Sequence, residues 1–291
     1  MKTLNTVILF SAVAVGSASA ALTTTTTFDG AGSLVGVANW DNGLPTNANP
    51  GLVAVTSGST WTTNVWTDMA IRQTGGTVGG AGSATMNMRG GAALSGNKTI
   101  YEIEDVANSA FGYKNLEVSG QLTMWNQNGE GQELSLLAGY ATVGSLNAIS
   151  SAATSTINIG DGKLDIGIVT TLGGKFSINM LAGGTGEMVI GDRNEAALNA
   201  MRLDFETGNV GSITLSSNLG ASADGYWGFF VEQGWASIGG VVVTDLAQFN
   251  IVNDGFATTI SAIPELIPEP GTYALLAGCF ALASVMVRRR R

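Results

Sequence analysis

Short stretches of the chain alternate between apolar and polar residues and are separated by Gly, Asn or Asp. Alternation over four to six residues between turn residues is typical of strands that bury one face. No stretch between the two ends carries a long apolar stripe at the 3.6-residue spacing of a helix. The pattern therefore predicts an all-β protein. The alternating apolar pairs are Ile157 and Ile159, Leu164 and Ile166, Phe176 and Ile178, Leu203 and Phe205, and Ile213 and Leu215.

Two all-β architectures fit these strands, and the spacing between strands favours one of them. A parallel β-helix stacks coils of roughly twenty residues, and each strand buries one face against its neighbours. A β-sandwich or jelly roll is the alternative, because the spacing is irregular and no side chain recurs strictly. We expect a solenoid body at residues 21–266, capped by the block through Pro50 and by the block from Tyr226 to Ile263. The predicted strand centres are Asn87, Glu102, Glu117, Ser135, Asn158, Ser177 and Val189.

Two segments of the body depart from the strand pattern. The stretch DRNEAALNAMRL is the best helix candidate, with Asp192 as its N-cap. The block after Asp224 is the most aromatic part of the body, and it predicts the core of a cap over the last coil. The alternative is a flat aromatic surface on which sugar rings stack. Its aromatic residues are Tyr226, Trp227, Phe229, Phe230, Trp235, Phe249 and Phe256.

The charge distribution limits the partners of the body. Of the 291 residues, 41 are Gly, 5 are Pro and 12% are charged. Between Ala21 and Ile267 the chain has 8 Lys or Arg and 21 Asp or Glu, a net charge of -13. An acidic body repels nucleic acid and anionic lipid, so cations or other matrix components are the more plausible partners.

The residue types present exclude several kinds of catalytic site. The chain has no histidine and a single cysteine, Cys279, so it lacks a Ser-His-Asp triad, a Cys-His pair and a zinc-ligand cluster. No disulfide staples the body, and no phosphate-binding GxxxxGK[ST] loop is present. We therefore expect neither enzymatic activity nor a cofactor.

Paired carboxylates are the remaining candidates for chemistry. Two facing carboxylates can cleave a glycosidic bond, so a polysaccharide hydrolase or lyase, or a sugar-binding module of the same shape, is the alternative function. Acidic residues on the solvent face of strands explain the same pairs without chemistry. The stretch GDGKLD is a weak calcium candidate, because it lacks a dense loop of carboxylate ligands. The candidate groups are Glu102, Glu104 and Asp105; Asp161 and Asp165; Glu187 and Asp192; and Asp204 and Glu206.

The first twenty residues have the order of parts found in a secretory signal peptide. Lys2 supplies the positive charge, and the mostly apolar run Leu4–Val15 follows. Small residues end the segment, which predicts cleavage by signal peptidase between Ala20 and Ala21. The mature chain would then lie outside the cytoplasm.

The last residues predict a membrane tether. Pro268, Glu269 and Pro270 force an extended segment. The 16 uncharged residues of Thr272–Val287 would span about 24 Å as a helix. The arginines that follow would stay on the cytoplasmic side of the membrane. These stop-transfer residues are Arg288, Arg289, Arg290 and Arg291.

The tail PEPGTYALLAGCFALASVMVRRRR resembles the PEP-CTERM sorting signal, which combines a Pro-Glu-Pro motif, a transmembrane run and an arginine cluster. The resemblance covers Pro268 to Arg291. It implies recognition by an exosortase of a Gram-negative bacterium, and delivery to the cell surface or into an extracellular matrix. It implies nothing about the activity of the body.

The stretch NWDNGLPTNANPGLVAV, from Asn39 to Val55, resembles the opening coil of autotransporter-associated β-strand repeat proteins. That resemblance implies a right-handed parallel β-helix used for adhesion or surface coating. We therefore expect a non-catalytic, exported structural or adhesive protein that associates with biofilm matrix or exopolysaccharide.

Overall fold

In the computed structural model, twenty strands and two short helices are described. The described residues are 26–28, 40–46, 51–53, 64–65, 69–75, 77–80, 85–89, 99–105, 114–125, 131–149, 154–172, 174–193, 201–216 and 225–263. The helices are α1 (Gly225–Glu232) and a 3-10 turn (Leu246–Gln248). The strands are β1 (Thr26–Thr27), β2 (Gly51–Val53), β3 (Asn64–Val65), β4 (Ala70–Gln73), β5 (Val78–Gly80), β6 (Met86–Arg89), β7 (Ile100–Ile103), β8 (Leu116–Trp125), β9 (Glu133–Leu136), β10 (Tyr140–Ile149), β11 (Thr154–Ile159), β12 (Lys163–Leu172), β13 (Lys175–Met180), β14 (Glu187–Arg193), β15 (Met201–Phe205), β16 (Ser212–Leu215), β17 (Ala236–Ile238), β18 (Val241–Val243), β19 (Phe249–Asn253) and β20 (Thr258–Ala262).

The chain winds as a parallel β-solenoid, which confirms the predicted β-helix. The first sheet has the order β1-β2-β4-β7-β9-β11-β13-β15-β17-β18. The second has the order β19-β20-β16-β14-β12-β10-β8-β6-β3, and β5 also pairs with β8. One coil contributes one strand to each sheet, and the next coil pairs in register: Thr154 lies beside Lys175 in the first sheet, and Lys163 beside Glu187 in the second.

The core lies between the two sheets and is built from the alternating residues. All five predicted apolar pairs are buried, from Ile157 with Ile159 through Ile213 with Leu215. All seven predicted strand centres lie on strands. Each coil therefore buries one face of its strands against the facing sheet and against its neighbours along the axis.

The long strands of the second sheet bend in the middle. In β10, Val143 is buried before Gly144 and Leu146 is buried after it, whereas strict alternation would bury Ser145. The alternation of buried positions therefore shifts by one residue at the glycine. The two halves of β10 therefore bury side chains of opposite parity, and Gly144 marks the point where they meet.

The C-terminal end of the solenoid changes to antiparallel pairing. Strands β17 and β18 form an antiparallel pair, as do β19 and β20, and β20 also pairs antiparallel with β16. Helix α1 packs against β19 and β20. The indole nitrogen of the buried Trp227 donates a hydrogen bond to the Thr258 carbonyl oxygen at 2.8 Å. Helix and hairpin are therefore joined through the interior.

The helix predicted over DRNEAALNAMRL is wrong at both of its ends. Asp192 lies in β14 and is exposed, so it does not cap a helix, and Met201 begins β15. Residues 194–200 lie outside the described part of the chain. Pairing explains the difference, because Met201 lies beside Phe176 of the preceding coil and is buried. Tertiary pairing overrides the weak helix propensity of the isolated segment.

A buried polar network crosses the coils where the first sheet turns into the second. The Tyr101 hydroxyl donates to Oε1 of Gln73 at 2.9 Å, and Nε2 of Gln73 donates to the Asn115 carbonyl oxygen at 2.7 Å. Asn115 Nδ2 donates to Asp105 Oδ2 at 2.7 Å, and Asn115 Oδ1 accepts from the Tyr140 N–H at 2.9 Å. Burial raises the pKa of Tyr101 far above its usual value. The network supplies partners for polar groups that water does not reach.

A ladder of polar side chains follows the outer face of the first sheet. Asn179 Nδ2 donates to Asn158 Oδ1 at 3.0 Å, and Asn158 Nδ2 donates to Ser135 Oγ at 2.9 Å. The ladder takes one residue from each of seven successive strands, so six inter-strand intervals separate its two ends. At the usual spacing between strands, the ladder is about 29 Å long. Paired coil by coil, its members are Arg72, Glu102, Ser135, Asn158, Asn179, Asp204 and Ser237.

Candidate functional site

A groove of about 450 Å³ runs along the bend of the second sheet. Its floor contains Gly144, Gly167 and Gly191, which lie at the bend on three successive coils. A Cβ on Gly167 would lie 2.5 Å from the Gly144 carbonyl oxygen, and a Cβ on Gly191 would lie 2.5 Å from the Gly167 oxygen. Only glycine fits such close approach between coils. The lack of side chains at the bend leaves the surface concave there.

One wall of the groove is a column of side chains from four coils. Thr142 pairs with Glu117 on one side and with Asp165 on the other, and Asp165 pairs with Val189. All four line the groove, and Lys114 joins them at one end. Lys114 Nζ lies 2.6 Å from Glu117 Oε1. The wall therefore presents one side chain from each of four coils: a carboxylate, a hydroxyl, a second carboxylate and an apolar valine. The ammonium group of Lys114 lies beside the first carboxylate.

A second row of side chains lies beside this wall, two residues earlier on each strand, and contacts it. The Tyr140 hydroxyl donates to Asp165 Oδ2 at 2.6 Å. Lys163 Nζ lies 3.8 Å from Asp165 Oδ1 and 3.7 Å from Glu187 Oε2. Burial and the hydrogen bond to Asp165 raise the pKa of Tyr140 to about 12, so the phenol is neutral at physiological pH. The sequence did not single out Tyr140, Thr142 or Lys163, because nothing in their local pattern differs from other strand residues.

The acidic group near Glu102 does not lie in the groove. Glu102 is buried on the outer face of the first sheet, where Arg72 Nε lies 3.4 Å from its Oε1. Arg72 also forms an ion pair with Glu104. Asp105 belongs to the buried network. These three carboxylates, which are close in sequence, therefore have two different environments and do not face one another across a cleft.

The other carboxylate pairs lie at turns and on outer faces. Asp161 is exposed and accepts from the backbone N–H and the hydroxyl of Thr185, both at 3.0 Å, whereas its partner Asp165 lies in the groove. Glu187 and Asp192 are both exposed. Among the residues that the structure describes, no group of three or more acidic or cysteine side chains is arranged to hold a metal ion.

Asp204 and Glu206 are close enough for their charges to interact. Asp204 Oδ1 accepts from the Ser237 hydroxyl at 2.6 Å, and Glu206 Oε2 accepts from the Ala182 N–H at 3.0 Å. Burial raises the pKa of Glu206; the hydrogen bond from Ala182 opposes this shift, and the charge of Asp204 adds to it. Because both carboxylates already accept hydrogen bonds that connect coils, this pair has a structural explanation.

The aromatic block near the C-terminal end is mainly interior. Tyr226, Trp227 and Phe230 are buried in α1, as expected for the core of a cap. Phe229 is 47% exposed, but its ring meets Trp235 edge-on at 88° with the ring centroids 5.8 Å apart. Two perpendicular rings do not present one flat face, so this pair does not form the aromatic surface for sugar rings that was the alternative to a cap core.

The predicted processing and sorting residues lie outside the described part of the chain. These are Ala20 and Ala21 at the signal cleavage site, Pro268–Pro270, the run Thr272–Val287, and Arg288–Arg291. Within the described ranges, no helix has both the length and the apolar character that crossing a membrane requires. Cleavage, tethering and sorting therefore stay predictions.

Comparison with known proteins adds no relative to these observations. No protein-family model matches the chain, and neither curated proteins nor solved structures include a significant match. The fold defines the class, a parallel β-solenoid, and the interpretation of its surfaces rests on the residues of this chain.

Proposed function

We propose that this protein is a non-catalytic structural or adhesive component of the cell surface or extracellular matrix. The observation that carries the proposal is the continuous solenoid, in which two sheets of ten strands share one core. Backbone ladders along the axis make such a body a stiff rod, and its outer faces repeat polar groups at one-coil intervals. A stiff, repetitive surface suits attachment to a polymer with its own repeat.

The proposed route to that location uses the two ends of the chain. Signal peptidase would cut between Ala20 and Ala21, and the C-terminal run would hold the body at the membrane until an exosortase recognises Pro268–Pro270. The two prolines of the motif favour an extended backbone, which is the form that a processing enzyme at the membrane would bind. Exosortase and signal peptidase are the processing partners that this route requires.

The distribution of carboxylates supports a structural role over a glycosidase. The paired acids suggested by the sequence are spread over the first sheet, the turns and the groove rather than gathered in one cleft. In the groove, Glu117 and Asp165 lie on either side of the Thr142 coil, about 9.5 Å apart at the spacing of strands. Glu117 pairs with Lys114, and Asp165 accepts from Tyr140. Each of these carboxylates therefore already has a side-chain partner within ion-pair or hydrogen-bond distance.

Intact mass and cell fractionation of the native protein test the proposal. We expect a mature chain that begins at Ala21, ends near Pro268 and is found outside the membrane. Replacement of Pro268, Glu269 and Pro270 by alanine should leave the protein in the inner membrane. Alanine at Pro264 and Glu265 is the matched control, since it changes the same residue types just upstream. A full-length C-terminus in the inner membrane of wild-type cells would overturn the sorting route and the matrix location together.

A further inference from the structure

The groove along the bend has the shape of a site for an elongated ligand. Its wall residues come from four coils, and the three steps between these coils cover about 14 Å. The groove is shallow and open, with a volume of about 450 Å³, so an occupant would lie along the surface and not inside a closed cavity. The long axis of the groove crosses the strands, so an occupant would extend over several coils along the solenoid axis.

The two sides of the groove differ in polarity. The floor exposes the glycine backbone at Gly144, Gly167 and Gly191, and the apolar Val189 lies at one end. The wall carries carboxylates at Glu117 and Asp165, with the Thr142 hydroxyl between them. Sugar rings have apolar C–H faces and hydroxyl edges, and hydroxyls donate strong hydrogen bonds to carboxylates. A pyranose ring with its linkage spans a distance similar to one coil step, so successive sugars can meet equivalent groups.

The charges of the groove favour an uncharged polymer. Glu117 is paired with Lys114, and Asp165 has Lys163 3.8 Å away. The two carboxylates that line the groove therefore lie beside two ammonium groups, whereas the body between Ala21 and Ile267 carries a net charge of -13. A polyanion would therefore be repelled at long range.

The backbone of the groove disfavours an added peptide strand. Strand β10, which contains Thr142, pairs with β8 on one side and with β12 on the other. Its backbone N–H and C=O groups are therefore already hydrogen-bonded within the sheet. Strand addition requires an open sheet edge, whereas this face presents side chains. Of the elongated ligands, a polysaccharide matches the face better than a peptide does.

We propose that the groove lined by Glu117, Thr142 and Asp165 binds an extended, uncharged polysaccharide chain parallel to the solenoid axis. This inference rests on the proposed matrix function and identifies the surface and the ligand class through which the protein would act. The hydroxyl edge of the polymer lies along the carboxylate wall, and its apolar face lies on the glycine floor.

The test is affinity electrophoresis of the full chain, in mild detergent, through gels that contain xylan, mannan, hydroxyethylcellulose, mixed-linkage glucan or polygalacturonate. We expect retardation by at least one of the four neutral polymers and none by the anionic polygalacturonate. Thr142→Tyr fills the middle of the wall and should weaken binding about tenfold or more. Thr156→Tyr is the matched control, because it places the same bulk on the outer face of the first sheet.

A second variant separates loss of contacts from loss of folding. Glu117→Gln with Asp165→Asn keeps the shape of the wall and removes its charged acceptors, so it should weaken binding while circular dichroism stays unchanged. Retardation by polygalacturonate alone, by none of the polymers, or equally in wild type and Thr142→Tyr would overturn the inference. If binding fails but the protein is found outside the cell, the groove inference is wrong and the proposed matrix function stands. If the protein binds a neutral polymer but stays in the inner membrane, the groove inference stands and the proposed matrix location is wrong.

Discussion

Replacement of Asn115 by alanine removes the centre of the buried polar network. The side chain is fully buried; its amide nitrogen donates to Asp105 Oδ2 at 2.7 Å, and its amide oxygen accepts from the Tyr140 N–H at 2.9 Å. Alanine removes both bonds, and the site lies away from bulk water because the side chain is buried. The Tyr140 N–H loses this acceptor, and the buried Asp105 carboxylate loses one donor.

The expected cost follows from these two bonds. A typical buried hydrogen bond contributes about 1 kcal/mol, and a buried group left without a partner adds about 1–3 kcal/mol. We therefore expect Asn115→Ala to lower the free energy of unfolding by about 3–5 kcal/mol. That is a large fraction of the roughly 5–15 kcal/mol that stabilises a typical domain. Urea unfolding followed by circular dichroism and tryptophan fluorescence measures the change.

The matched control is Asn179→Ala on the outer ladder. Asn179 also makes two side-chain hydrogen bonds, to Asn158 at 3.0 Å and from the Ser177 hydroxyl at 2.9 Å. It is only half-buried, so water can take the place of the lost partners, and we expect a loss of about 1 kcal/mol or less. If the two variants differ by less than about 1 kcal/mol, burial does not set the cost and the reasoning fails.

Two further predictions concern the bend and the wall of the groove. Gly167→Ala places a Cβ against the Gly144 carbonyl oxygen, so we expect a loss of about 1–3 kcal/mol in urea unfolding; an unchanged midpoint would show that the coils can separate without cost. The pKa of Tyr140 is about 12 in the folded protein and 10.0 for a free tyrosine. The folded state therefore keeps the phenol proton at pH values where the unfolded chain loses it, so the free energy of unfolding should fall as the pH rises from about 10 to about 12. Asp165→Asn should lower this pKa, as measured by phenolate absorbance with Tyr140→Phe as the blank, and an unshifted titration would contradict the assigned contact.

The strands that the sequence predicted are those with strong local alternation. Ile157 with Ile159, and Phe176 with Ile178, lie on neighbouring coils and are fully buried, as expected. Strand β10 was not recognised, because its stretch YATVGSLNAI contains small and polar residues and breaks its alternation at Gly144. The spacing of strand centres indicated a solenoid for a physical reason: coils can vary in loop length as long as their strands pair.

The groove could not have been predicted from the sequence. Glu117, Thr142 and Asp165 are separated by more than twenty residues along the chain, and they become neighbours only because β8, β10 and β12 pair in one register. A shift of that register by one residue would move each side chain to the other face of the sheet. Carboxylates that are close in sequence, such as Asp161 and Asp165, therefore lie in different places, whereas the groove brings together carboxylates that are distant in sequence.

Local chemistry alone determined that this chain forms half-buried strands with glycine-rich turns around one core, since alternation and turn residues act over a few positions. The same local chemistry indicates the export and sorting segments at the two ends, which stay predictions. Only the tertiary structure decided which coils are neighbours, where the long strands bend, and which polar groups meet in a network, a ladder or a groove. The physical reason is that inter-coil register depends on packing summed over the whole core, which no single stretch of sequence contains.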